Sequence, residues 1–252
     1  MEKGCLYMIA TPIGNLGDIS QRALDIIEQC DYLVSENPST TKKLLTKYGI
    51  SKPVRWYRES NHKGMSPLII EDILYKHLHV GVVSEAGTPV VSDPGAKLLS
   101  DAYSKGVTVI PIPGASSVTT AISAFPVASS KFLFWGFAPR KEGEFKRSIT
   151  EQLSFLVKEK VAIVYFESPF RLKKTLGYLS SLAAELLDKD LELKVGLGKE
   201  MTKLFEHYTF DTPEGILNAE NREFKLDKGE STLVIVVKKR HTERNEQPLD
   251  DN

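Results

Sequence analysis

Short apolar runs alternate with longer amphipathic segments through the first half of the chain. Residues 6–10, 32–35, 54–57, 80–84 and 107–112 are apolar and read as strands. Between them, residues 19–30, 40–48, 66–78 and 96–105 carry helical spacing. Gly49 and Gly106 close two of these helices, and Pro67 falls near the first turn of a third. The alternation predicts an α/β fold with a mostly parallel sheet and helices on its faces. Pro111-Ile112-Pro113-Gly114 reads as a hinge, followed by a short helix over 117–124. The second half differs in texture. Strands are predicted over 131–137, 161–166, 194–197, 204–210 and 232–237, with helices over 148–157 and 172–187. That is an α+β module with antiparallel pairing. The expected division is therefore 1–113, 114–240 and a polar tail over 241–252, with fraying already expected from Lys238. No internal repeat is visible.

Several strand ends carry unusual loops. After the first strand come Thr11-Pro12-Ile13-Gly14-Asn15-Leu16-Gly17-Asp18. A buried strand ending in a glycine-bearing loop that opens a helix is how α/β proteins build a ligand site. Yet neither nucleotide spacing, G-x-G-x-x-G or G-x4-G-K-[ST], is present, and Pro12 removes an amide that a phosphate cradle would use. A ligand other than a pyrophosphate is expected. Residues 85–95 pack two Gly and two Pro into eleven positions after a strand, longer than a usual βα connection. Pro113-Gly114-Ala115-Ser116-Ser117 suits close ligand approach and a helix N-cap equally well. Glu36 could meet a ribose hydroxyl, act as a base, or merely cap the next helix. Residues 167–171 and 199–203 read first as a helix start and a solvated charged stretch.

Composition narrows the class. At 252 residues, 41% hydrophobic and 26% charged, the chain can bury a large core. Lys+Arg and Asp+Glu both number 33, so global charge gives no argument for a polyanion, although a local patch at Arg140, Lys141, Lys146 and Arg147 could still meet phosphate. Two cysteines without ligand spacing, scattered histidines and no catalytic triad weaken metal and hydrolase readings. With neither a signal peptide nor a membrane-length apolar run, a cytoplasmic protein without membrane association is expected.

Taken in order, the motifs TPIGNLGDIS (11–20), RAL (22–24), KLL (43–45), AGTPVVSDPG (86–95), PIPGASS (111–117), GFAPRK (136–141), FESPFRL (166–172), KEMTKLFE (199–206) and GESTLVI (229–235) cover nearly the whole chain. The chain resembles the tetrapyrrole methylase superfamily, and within it the ribosomal RNA small subunit methyltransferase I family. The resemblance implies a two-domain enzyme, usually a homodimer, with S-adenosylmethionine in the cleft between domains and no metal. Implied donor contacts are Pro12, Ile13, Gly14, Asn15 and Leu16; Ser84, Glu85, Ala86, Gly87 and Thr88; Ser116 and Ser117; and backbone near Phe166 and Thr232. The implied reaction methylates a cytidine ribose 2′-hydroxyl of 16S ribosomal RNA on the assembled small (30S) subunit. A sulfonium donor without phosphates agrees with the proline-containing loop.

A ribose hydroxyl is a poor nucleophile, so a base or a cation for the developing alkoxide is expected. Lys199 and Glu200 are the candidates, with Glu36 behind them; Arg140, Lys141 and Arg171 are the candidate RNA contacts. The chain also departs from the family pattern. A loop commonly reading Glu-Asp-Thr-Arg is Glu36-Asn37-Pro38-Ser39, a common aspartate is Glu85, and two usual histidines are Phe170 and Phe205. A short extra C-terminal region of many members is also missing. These changes fall on the presumed acceptor side, so a small-molecule methylase and a non-catalytic paralogue stay open as rival readings.

Overall fold

A computed structural model describes residues 4–127, 130–219 and 224–240. The chain divides into two compact units, Met1–Thr120 with Glu200–Phe205, and Ala121–Lys199 with Glu206–Asn252.

The first unit holds a five-stranded sheet in the order β3-β2-β4-β1-β5. Its strands are β1 (Cys5–Ile9), β2 (Tyr32–Ser35), β3 (Val54–Trp56), β4 (Val80–Val83) and β5 (Thr108–Ile112). Every pairing is parallel. β1, β2 and β4 are almost wholly buried, as expected of continuous apolar runs covered on both faces. Register sets Ile9 beside Val83 and Ile112, and Ser35 beside Val83, so four strands end level at one edge of the sheet.

The helices are α1 (Gln21–Gln29), α2 (Pro38–Lys47), α3 (His62–Tyr75), α4 (Ala96–Ser104) and α5 (Ser117–Ala124), the last running on into the second unit. Ser20 caps α1 through the Ala23 amide. α3 corrects the expected boundary: it starts at His62, and Pro67 lies inside it rather than in its first turn. A turn closed by the Arg58 amide on Asn61 launches the helix early. The buried carboxylate of Asp72 on α3 is fully engaged by Tyr32, Arg55 and Lys76, which ties the helix to the sheet.

The second unit holds a mixed sheet, β6-β7-β10-β8-β9. Its elements are β6 (Phe132–Phe137), α6 (Glu142–Thr150), α7 (Leu153–Glu159), β7 (Ala162–Glu167), α8 (Pro169–Leu187), β8 (Leu191–Lys199), β9 (His207–Asp211), α9 (Pro213–Asn218) and β10 (Ser231–Lys239). β6 and β7 are parallel because α6 and α7 form the crossover between them; the other pairings are antiparallel, as expected.

Five features differ from expectation. The helix predicted over 148–157 is two helices, a break the sequence hides because Phe145, Ile149 and Leu156 keep helical spacing across it. β8 is more than twice the predicted length, and β9 starts only at His207 because residues 200–205 pack with the first unit. α9 was not foreseen, although Thr212 capping the Gly215 amide and Pro213 in the first turn are ordinary start signals. Lys238 and Lys239, predicted to fray, complete β10; positions 241–252 lie outside the described residues. The core between sheet and helices is built on Phe145, Tyr165, Leu176, Leu197 and Ile235. No described helix is long and apolar enough to cross a membrane.

Candidate functional site

The level strand ends of the first unit gather three of the predicted loops. Thr11 and Gly87 form an isolated bridge, the Thr11 amide donating to the Gly87 carbonyl at 2.9 Å and the Gly87 amide returning a bond at 3.0 Å. The Ser84 hydroxyl donates to the Gly87 carbonyl at 2.6 Å, and the Thr11 hydroxyl to the Ser84 carbonyl at 3.2 Å. Thr88 reaches the Ala115 carbonyl at 3.5 Å. The loops after β1, β4 and β5 are thus tied into one piece of backbone.

Gly87 has φ +80°, and a Cβ there would stand 3.3 Å from Ile13 and 3.5 Å from the Ala115 carbonyl oxygen. Glycine suits both the conformation and the close approach. Pro12 and Ile13 are buried beneath this junction, whereas Gly14, Asn15, Leu16, Glu85 and Ala86 are exposed. Ser116 and Ser117 are half-buried at the start of α5. Twelve predicted donor contacts therefore lie on one edge of one sheet.

Residues 200–205 pack on the same unit. The Asn15 amide donates to the Thr202 hydroxyl at 3.0 Å, and a Cβ on Gly14 would stand 2.6 Å from Lys203 Cγ. Glu200 and Thr202 both have positive φ in this turn, and Lys203 pairs with Glu200 at 3.0 Å. Sequence reading identified Glu200 here but missed the contact Thr202 makes with the Asn15 loop. No local spacing reports a contact across 187 residues.

A small cavity beside β2 and β4 is lined by Glu36, Ser84, Glu85 and Asp93. Burial, with added repulsion from Glu36 and Glu85, pushes the Asp93 carboxyl up to about 6. Arg58 lies 3.5 Å from Glu36. The loop carrying Asp93 is held in unusual conformations: Val90 and Ser92 both have positive φ. For a β-branched valine that is a genuine backbone outlier. Asp93 was absent from the predicted site. Its Ser-Asp-Pro-Gly context reads as an ordinary turn, and burial is invisible in that string. Among the described residues, no group of three or more His, Cys, Asp or Glu could hold a metal ion.

The remaining predicted residues sit in the second unit. Phe166 and Thr232 are register partners on β7 and β10. Lys199, offered as a catalytic candidate, is buried with its ammonium on the carbonyls of Lys225 and Lys228. Its charge is spent on fixing that loop. Burial and the Lys199 charge together lower the neighbouring His207 imidazole. Arg171, a predicted RNA contact, is also committed internally: it pairs with the fully buried Glu167 carboxylate at 2.8 Å and donates to the Ala138 carbonyl at 2.5 Å. Thr175 and the Ser168 amide complete the shell around Glu167. Arg140 is exposed, and Lys141 is exposed and paired with Glu144 at 3.0 Å.

A family model described as Tetrapyrrole (Corrin/Porphyrin) Methylases matches residues 5–216. The chain belongs to that family. Within it, the chain falls among proteins named Ribosomal RNA small subunit methyltransferase I. It is 36% identical over 249 residues to the one from Pasteurella multocida (strain Pm70), covering 98% of this chain and 84% of that protein. For the one from Neisseria meningitidis serogroup B (strain MC58), identity is 37% with coverages of 92% and 76%. For the Borrelia garinii subsp. bavariensis protein, identity is 36% with coverages of 91% and 97%. Among solved structures, a diphthine synthase matches with a TM-score of 0.67 at 18% identity, covering 92% of this chain and 90% of that one. A cobalt precorrin-4 methyltransferase matches with a TM-score of 0.62 at 17% identity, covering 91% and 93%. At such identity these structures establish the shared fold alone. Family membership makes the chain a methyltransferase of the small subunit methyltransferase I type.

Proposed function

We propose that this chain transfers a methyl group from S-adenosylmethionine to a cytidine ribose 2′-hydroxyl in 16S ribosomal RNA of the small subunit. The observation that carries the donor assignment is the tied junction of the loops after β1, β4 and β5. It presents the exposed residues Gly14, Asn15, Glu85 and Ala86 without a phosphate fingerprint, beside the carboxylates of Glu36, Glu85 and Asp93. The negative potential of these carboxylates suits the donor's sulfonium. When bound, that group supplies an electrophilic methyl. The chain's task is then to align the reacting atoms, exclude water and accept the hydroxyl proton. Pro12–Leu16, Ser84–Thr88 and Ser116-Ser117 would hold the donor.

For the proton, Glu36 and Glu200 are the carboxylates proposed on the first unit. Arg140 and Lys141 would meet RNA phosphates. RNA as acceptor rests on the relatives' names, and the cytidine 2′-position on the motif resemblance, as do a cytoplasmic location and a homodimer. The test is transfer of label from the tritiated donor to purified small subunits, followed by mass spectrometry of the nucleosides. 2′-O-methylcytidine is expected. Label on another nucleoside overturns the cytidine assignment, and label on a porphyrinoid but on no RNA overturns the acceptor class.

A further inference from the structure

The second unit carries an unpartnered aromatic surface that the donor site does not use. Among the described residues β6 is an edge strand, paired only with β7, and its later half reads Trp135-Gly136-Phe137. Between Phe134 and Phe137 the register with β7 shifts, and Gly136 takes φ +80°. That bulge ends the regular ladder and turns the edge just ahead of Arg140 and Lys141. Trp135 and Phe137 are 43% and 61% exposed. Phe137 stands edge-on to Phe166 at 5.7 Å, which fixes its ring. Phe170, in the first turn of α8, is 90% exposed, nearly the full surface of a free side chain. The Arg171 guanidinium on the Ala138 carbonyl ties this turn to the residue after Phe137. Two exposed phenyl rings are therefore mounted at the same end of β6 and β7, on rigid supports. Leaving them in water is costly unless something covers them.

We infer that Phe137 and Phe170 form a stacking platform for unpaired RNA bases, with Arg140 and Lys141 holding the adjoining phosphates. The inference rests on the RNA reading above. Charge complementarity chooses the occupant. Arg140, Lys141, Lys173 and Lys174 flank these rings. Glu167, the last residue of β7, is buried and neutralised by Arg171. Glu142 and Glu144 in the first turn of α6 pair with Lys146 and Lys141, which leaves the surroundings of the rings net positive. Exposed rings beside such cations recognise single-stranded nucleic acid, whose bases stack and whose phosphates pair. An apolar protein partner would not need the cations, and a duplex offers no free base faces.

The test measures affinity of the full chain for a mixed-sequence 12-nucleotide single-stranded RNA and for the corresponding blunt duplex, with methylation of small subunits run in parallel. Phe170→Ala is the main variant, since its side chain is almost wholly exposed. Phe137→Ala and the conservative Phe170→Trp accompany it. Each alanine should weaken single-strand binding about 5- to 100-fold, leave duplex binding unchanged and keep the salt slope of the wild type. Phe170→Trp should restore affinity, and Arg140→Ala should lower the slope by about one. Wild-type affinity in both alanine variants, with the wild type binding RNA, overturns the platform and spares the acceptor assignment. A wild type that neither binds nor methylates RNA overturns both. Altered sedimentation with unchanged RNA affinity would mark the face as a self-association surface and overturn the platform.

Discussion

Asp93 shows how one side chain links loop shape to stability. Burial is the main reason its carboxyl is held at about 6, with Glu36 and Glu85 adding repulsion. In the unfolded chain the same group titrates near its ordinary value of 3.8. Between about pH 4 and 6 the folded protein therefore keeps a proton that the unfolded chain has released, so this group's contribution to stability falls across that window. Above pH 6 the penalty is complete, and below the unfolded value it vanishes. Asp93→Asn should accordingly raise the melting temperature at pH 8 and leave it near the wild-type value at pH 3.5. Equal melting temperatures at pH 8 would show that the carboxylate is adequately solvated in the folded state. The placement of Gly87 and Glu36 at strand ends was readable in advance, because each follows a continuous apolar run. Asp93, Lys199 and Arg171 were not readable in this way. Their roles depend on which carbonyls, carboxylates and apolar atoms surround them, and those come from distant parts of the chain.

At the scale of elements, close packing does what propensity cannot. Gly196 lies in the middle of β8, where glycine is a poor strand former. A Cβ there would fall 2.5 Å from Cδ2 of Phe125, whose ring also stacks against Phe210 at 6.1 Å. The glycine is the floor on which that ring lies. Gly196→Ala should cost about 1–3 kcal/mol, read as a lower urea midpoint, because the ring must leave its rotamer or the strand must shift. Phe125→Ala in the same chain should make the added methyl nearly neutral, a coupling that a double-mutant cycle measures. A wild-type midpoint for Gly196→Ala alone would contradict the packing. The strands of the first unit were legible because continuous apolar runs bounded by turn residues have few other readings. The split of α6 from α7 was not legible, because helical spacing persists across it. β8 alternates Leu191, Leu193, Val195 and Leu197 with charged residues and glycine, a strand period whose full length the two interior glycines obscure.

For the molecule as a whole, strand order decides where chemistry can happen. In the first sheet β1 lies between β4 and β5, and β2 follows β4 outward, so the chain's direction of winding reverses beside β1. Ligands of open α/β sheets bind at such reversals, outside the carboxyl ends of the strands. Gly87 sits at that point, bonded to Thr11 across the β1–β4 junction. Gly87→Arg should therefore lower affinity for S-adenosylmethionine at least 100-fold by calorimetry, since a long side chain would occupy the junction. The positive φ adds a folding cost of about 1–2 kcal/mol, or a few degrees of melting temperature. Gly106→Arg separates the two effects. Gly106 has φ +71°, and a Cβ there would meet nothing within 4 Å, so it carries the same backbone penalty at a place remote from the strand ends. Both variants should melt a few degrees early, but only Gly87→Arg should lose the donor. Equal donor affinity in the two would move the binding site away from the β1–β4 junction, and the topology would then no longer account for the family's activity in this chain.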